Sequence, residues 1–218
     1  MPDNNSWGIG ELGMKKLIAL MLVFVSGVAP AATIFSQTPT ITSAVISDAD
    51  ATIYQANDFS LSSADTVRSV TWRGIGTPSA AADSFTISFY SDSSGAPSSA
   101  LQSFTAINPV SRIDTGLDFS PEADIYEYTA NLGSGISLSG STNYWLSIYN
   151  DTSGDTATWF WVGAFSGNNF NSNDLVSWSG PIARENYFTL SNVPIPAAVW
   201  LFGSGLGLLG WMKRKQIG

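Results

Sequence analysis

The chain has 218 residues, with no cysteine and no histidine, which excludes disulfides, thiolate and imidazole metal sites, and any nucleophile that needs a histidine base. Only 12% of residues are charged, the formal net charge is −8, and residues 32–212 hold four arginines, no lysine and fifteen acids, a net of −11. A body that acidic repels phosphate backbones and argues against nucleic-acid binding, while it suits solubility, divalent cations or neutral polymers such as polysaccharide.

The first recognisable element begins at Met14-Lys15-Lys16. Two lysines precede an apolar run from Leu17 to Val28, and Ala29-Pro30-Ala31-Ala32 follows. A positive end, an apolar centre and small residues at the −3 and −1 positions are the order of a secretory signal peptide, with Ala29 and Ala31 as the cleavage residues. Twelve helical residues reach only about 18 Å, too short for a stable membrane span. Cleavage is expected after Ala31, with the Sec translocon as the export partner. The polar, Gly-rich residues 1–13 do not fit the start of such a signal, so Met14 is the expected initiator and residues 1–31 are an upstream extension plus signal peptide.

Residues 32–192 read as one acidic ectodomain. Helical periodicity is scarce and period-two alternation is common. Val67–Ile75 carries Val70 and Trp72 in register. In Asp83–Asp92, Phe85, Ile87 and Phe89 share one face, with Ser84, Thr86 and Ser88 opposite. Further strands are expected over 101–107, 125–130, 143–150, 156–165 and 186–191, and Asn143–Asn150 puts Tyr144, Leu146 and Ile148 on one side. Between them lie turn residues, as in Asp92-Ser-Ser-Gly-Ala-Pro97 and Asn150–Asp155. Many short strands with regular turns predict an all-β fold, a β-sandwich of jelly-roll type.

Candidate chemistry in this body is limited to carboxylates, aromatics and amides. Asp48/Asp50, Asp114/Asp118 and Glu122/Asp124 are possible acid/base pairs for a glycan-active enzyme, which needs two carboxyls roughly 5–10 Å apart; turn and surface positions are the simpler reading, and no enzyme is expected. Asp151-Thr-Ser153-Gly154-Asp155 spaces oxygens as a calcium loop does but lacks the EF-hand order, so an Asx-rich turn is expected there, with no metal and no cofactor. In Thr158-Trp-Phe-Trp-Val162, alternation sends Trp159 and Trp161 to one face and Phe160 to the other. If the tryptophans face outward they stand about 7 Å apart and can stack on sugar rings, with Trp72, Trp145 and Trp178 extending the platform. If they face inward they fill the sandwich core. Gly167–Asp174 reads as a polar loop.

The last 26 residues form a third region, 193–218. Val193-Pro194-Ile195-Pro196-Ala197 precedes an apolar stretch to Met212, and Lys213-Arg214-Lys215 follows at once. Sixteen apolar or small residues make about 24 Å of helix, short of a bilayer core but within reach of thinning and snorkelling lysines. The basic cluster would stop transfer and remain in the cytoplasm, leaving the body outside. Pro196 suits the first turn of a helix.

A short proline motif, a hydrophobic helix and a basic end together resemble a PEP-CTERM sorting signal. This copy has Pro194-Ile195-Pro196 and is closest to the Val-Pro-Leu-Pro-Ala variant of that family. The resemblance covers roughly 193–215. It implies that an exosortase-like membrane enzyme recognises Val193, Pro194, Ile195 and Pro196, cleaves near them and discards the helix. It also implies a Gram-negative host that makes exopolysaccharide, and a transiently inner-membrane-anchored protein that ends at the cell surface or outside it, in a biofilm or matrix. The body loosely resembles ectodomains that carry such signals. The expectation is therefore an exported surface protein, or alternatively a carbohydrate-binding module that uses Trp159 and Trp161.

Overall fold

The computed structural model describes residues 32–76, 83–151 and 158–192. Every regular element among them is a strand: β1 Thr33–Gln37, β2 Ser43–Ile46, β3 Tyr54–Ser60, β4 Asp65–Ile75, β5 Phe85–Ser93, β6 Ala96–Ile107, β7 Ser111–Ser120, β8 Ala123–Leu138, β9 Asn143–Asn150, β10 Phe160–Ala164, β11 Asn169–Ser172, β12 Trp178–Ile182, β13 Glu185–Asn186 and β14 Phe188–Ser191. They form two antiparallel sheets. Sheet A has eight strands, with β4 paired to β8, β14 and β10, and β7 as the edge beyond β8. Sheet B has six, in the order β12-β11-β3-β9-β5-β6.

Alternation decides which side chains lie between the sheets. Val70 and Trp72 of β4, Tyr128 and Ala130 of β8, and Phe188 and Leu190 of β14 come from sheet A; Phe85, Ile87 and Phe89 of β5 and Leu146 and Ile148 of β9 come from sheet B. All of these side chains are fully buried in one apolar cluster, so the two sheets share a core as a β-sandwich does. At its centre Trp72 stacks on Tyr128 with ring centroids 5.6 Å apart, and Phe85 meets Trp159 edge-on at 5.1 Å. Gly74 permits this arrangement, because a Cβ there would run into the Trp159 indole.

Turn chemistry sets the hairpins. Ser94 and Gly95, with φ of 56° and 79°, link β5 to β6 as a two-residue turn with both central residues left-handed, and the Gly95 N–H donates to Asp92 Oδ2 at 3.1 Å. The expected strand over 143–150 has the bounds of β9, and those over 67–75 and 83–92 lie within a few residues of β4 and β5. The reading of Gly167–Asp174 as a loop is corrected, since its centre is β11, paired to β3 on one side and β12 on the other. Its asparagines are strand residues held by polar partners. Asn57 of β3, fully buried, accepts from Asn169 Nδ2 and from the Asn186 N–H, and donates to the carbonyls of Asn168 and Arg184.

The first and last strands are neighbours. β1 pairs with β14, Thr33 opposite Ser191, and the Asn192 N–H donates to the Ala32 carbonyl at 3.2 Å. The signal and transmembrane helices expected at the two ends lie outside the described residues.

Candidate functional site

Trp159 and Trp161 are fully buried, so the carbohydrate platform that an outward orientation would make is not present, and the inward, core-filling reading is the observed one. The physical reason is pairing. Phe160 and Trp161 lie beside Ile75 and Gly74 of β4, which turns both indoles toward the aromatic centre of the core. Trp161 Nε1 donates to the Tyr187 carbonyl at 3.0 Å. Trp72 and Trp145 are equally buried, and Trp178 is half-buried against Tyr90.

The carboxylates serve as acceptors for the backbone. Asp48 takes hydrogen bonds from the N–H groups of Asp50 and Trp159, both at 2.9 Å, while its burial raises its pKa. Asp151 Oδ2 accepts from Thr86 Oγ1 at 2.5 Å and the Ala106 N–H at 3.2 Å, tying β9's end to β5 and β6; the rest of the calcium-like segment, 152–157, lies outside the described residues. Asp114 Oδ1 caps Gly116 N–H at 2.8 Å. Asp118 stands opposite Asp124 across the β7–β8 hairpin, a pair formed from two different expected pairs. Among the described residues no group of three or more acids is placed to hold a metal ion.

What the fold does assemble is a groove of about 890 Å³ on the outer face of sheet A. One wall is the connection from β1 to β2, Thr38-Pro39-Thr40-Ile41-Thr42, and the other is the end of β7, with Leu117 and Phe119. Ile125 forms part of its floor and is 2% exposed, whereas Leu117 and Phe119 are 50% and 42% exposed. Arg73 lies across the floor on the face opposite Trp72. Its guanidinium meets Glu127 Oε2 at 2.8 Å and stands 4.2 Å above the Tyr187 ring centroid. The pair is partly solvated and contributes little to stability; its geometric effect is to hold a flat polar surface in place. Thr38, Thr40 and Thr42 are exposed, and their hydroxyls have no partner among the described residues.

A second groove, about 510 Å³, lies on the outer face of sheet B and is lined by Ser88, Ser103 and Thr105 with Tyr90, Tyr149 and Val176. The loop beside it is braced by Asp174, whose carboxylate accepts from the N–H groups of Val176 and Ser177 at 2.9 and 2.6 Å. Those bonds hold its pKa down at about 2. Leu175 there has a φ of 61°, and Val176 is 78% exposed.

Sequence reasoning did not find either groove. The only signal for the first was the alternation of Thr38, Thr40 and Thr42, and its meeting with the end of β7 some 75 residues later is a property of the tertiary fold. Ala29, Ala31, Val193, Pro194, Ile195, Pro196, Lys213, Arg214 and Lys215 lie outside the described residues. Comparison with protein-family models, with curated proteins and with solved structures finds no match for this chain.

Proposed function

We propose that the chain is an exported surface protein. A signal peptide hands it to the Sec translocon, the C-terminal helix holds it briefly in the inner membrane, and an exosortase-like enzyme then removes that helix near Val193–Pro196. The sandwich, of jelly-roll type, is its working part at the cell surface or in a surrounding matrix, and it acts without catalysis. Support for the tail comes from the residues themselves, the proline motif, apolar run and Lys213-Arg214-Lys215 in that order. Support for jelly-roll connectivity comes from the path of the chain, which passes between the sheets at β2–β3, β3–β4, β4–β5, β6–β7, β8–β9, β9–β10, β10–β11 and β12–β13.

The observation that carries the reading is that order of residues at the C-terminal end, and the described strands are compatible with it. These strands run from Thr33 to Ser191, and the bond from Asn192 to Ala32 sets the two ends of the described residues side by side. Cleavage after Ala31 and cleavage near Val193 would both leave every strand intact. The two proposed cleavage points therefore flank residues that are neighbours in the fold, Ala32 and Asn192.

The test is the doubly substituted Pro194→Ala, Pro196→Ala chain expressed in a host with an exosortase. Unprocessed precursor is expected to accumulate in the membrane fraction, with the surface fraction reduced at least tenfold. Unchanged processing and surface yield would contradict the proposal.

A further inference from the structure

We propose that the groove on the outer face of sheet A binds a neutral glycan chain, a role independent of how the ends of the protein are processed. Three features of the groove point to that ligand chemistry. The first is its apolar side, where Phe119 and Leu117 are 42% and 50% exposed on one wall. Exposed rings and aliphatic groups suit the C–H faces of sugar rings, and Phe119 loses little rotamer freedom on contact.

The second is its polar side. Thr38, Thr40 and Thr42 offer hydroxyls that have no partner among the described residues, and each hydroxyl both donates and accepts. Arg73, its guanidinium 4.2 Å above the Tyr187 ring centroid, adds planar donors. A lipid tail lying here would strip water from these groups and give nothing back, so the polar wall argues against it. A chain of hydroxyl groups answers it.

The third is charge. The lining holds one cation, Arg73, already paired with Glu127 at 2.8 Å, and one acid, Asp118, so it offers no net positive charge. The body around it carries a net of −11 over residues 32–212. An anionic glycan would be repelled on approach, so the ligand is a neutral one. At about 890 Å³ the groove lies within the roughly 300–1,000 Å³ of small-ligand sites, room for a short stretch of a longer chain. Its floor and the β7 wall are paired strands, and the connecting wall is tied down where the Thr42 N–H donates to the Gly163 carbonyl at 2.8 Å, so it is largely preformed.

The test is affinity electrophoresis of the full chain in mild detergent, through gels containing a β-glucan, a galactomannan, a dextran or, as the anionic control, alginate. Retardation is expected in at least one neutral gel and not in alginate. Phe119→Ala should weaken it about tenfold, the loss of one ring contact. Thr40→Val, exposed and nearly isosteric, should weaken it severalfold, and Val176→Ser in the other groove should leave it unchanged. Absence of retardation in every neutral gel would overturn the proposal. So would retardation in alginate alone, or retardation that Phe119→Ala and Thr40→Val leave as it was.

Discussion

On the outer face of sheet B, Trp145, Tyr90, Phe170 and Ala56 form a buried apolar cluster, with Trp178 and Ala96 packed against it. Trp145 is fully buried there, its Nε1 donating to Asp92 Oδ1 at 2.8 Å and its ring meeting Phe170 edge-on at 5.1 Å. On the outer face of sheet A, Ile113, Leu117 and Phe119 remain 43%, 50% and 42% exposed beside a row of exposed threonines. Both faces are built from strands whose inner sides fill the same core. One has closed over its apolar side chains with its own rings and a polar anchor; the other leaves them open next to unpartnered hydroxyls. Apolar surface that the described residues leave uncovered, set beside polar groups, marks a contact surface.

That contrast can be broken by substitution. Trp145→Ala should cost about 3–5 kcal/mol by thermal or denaturant unfolding, because the ring is buried and its cavity cannot collapse under Phe170 and Trp178. Phe119→Ala on the open face should cost less than about 1 kcal/mol in the same assay; a loss like that of Trp145→Ala would mean that Phe119 is a structural residue. Gly74→Ala tests the core beneath the open face. The new methyl would press on the Trp159 indole, and about 1–3 kcal/mol should be lost.

Two smaller effects sharpen the comparison. Ser147 Oγ of β9 is buried without a hydrogen-bond partner, so Ser147→Ala should be neutral or stabilising by up to about 1 kcal/mol; a clear loss would reveal a bond that the packing does not show. The smallest effect is that of pH. Burial raises the carboxyls of Asp48 and Asp58, and Asp92 and Glu185 add repulsion at Asp58. In the window between their unfolded value near 3.8 and their raised folded values, the folded state binds the extra protons. The stability those two groups contribute is therefore present at low pH and is lost as pH rises through that window. Asp174 behaves oppositely. Its contribution is present above 3.8 and is lost as pH falls toward about 2, when the loop at 173–177 gives up its acceptor. A melting temperature that rises on mild acidification, and rises less in Asp58→Asn, is the expected record.

The sandwich was legible where side-chain period and burial agree. Phe85, Ile87 and Phe89 are all fully buried on the face that their spacing predicts, and β9 begins and ends at Asn143 and Asn150. It was illegible where polar residues do the work of a strand. Asn169 and Asn171 look like loop residues because nothing in the sequence shows Asn57 waiting across the sheet. The tryptophan question could not be settled by alternation alone, since both faces of 158–162 carry aromatic or apolar groups. Pairing of Trp161 with Gly74, whose missing side chain leaves room for the Trp159 indole, decides it. The groove required knowledge that the β1–β2 connection and the end of β7 meet, which no local pattern encodes.

The most direct test of the account is the intact mass of the mature protein from its native host. The account predicts a chain that starts at Ala32 and ends between Pro194 and Ala198, the sandwich with both addresses removed. A chain that still ends at Gly218 would contradict it and make the protein a permanently anchored one.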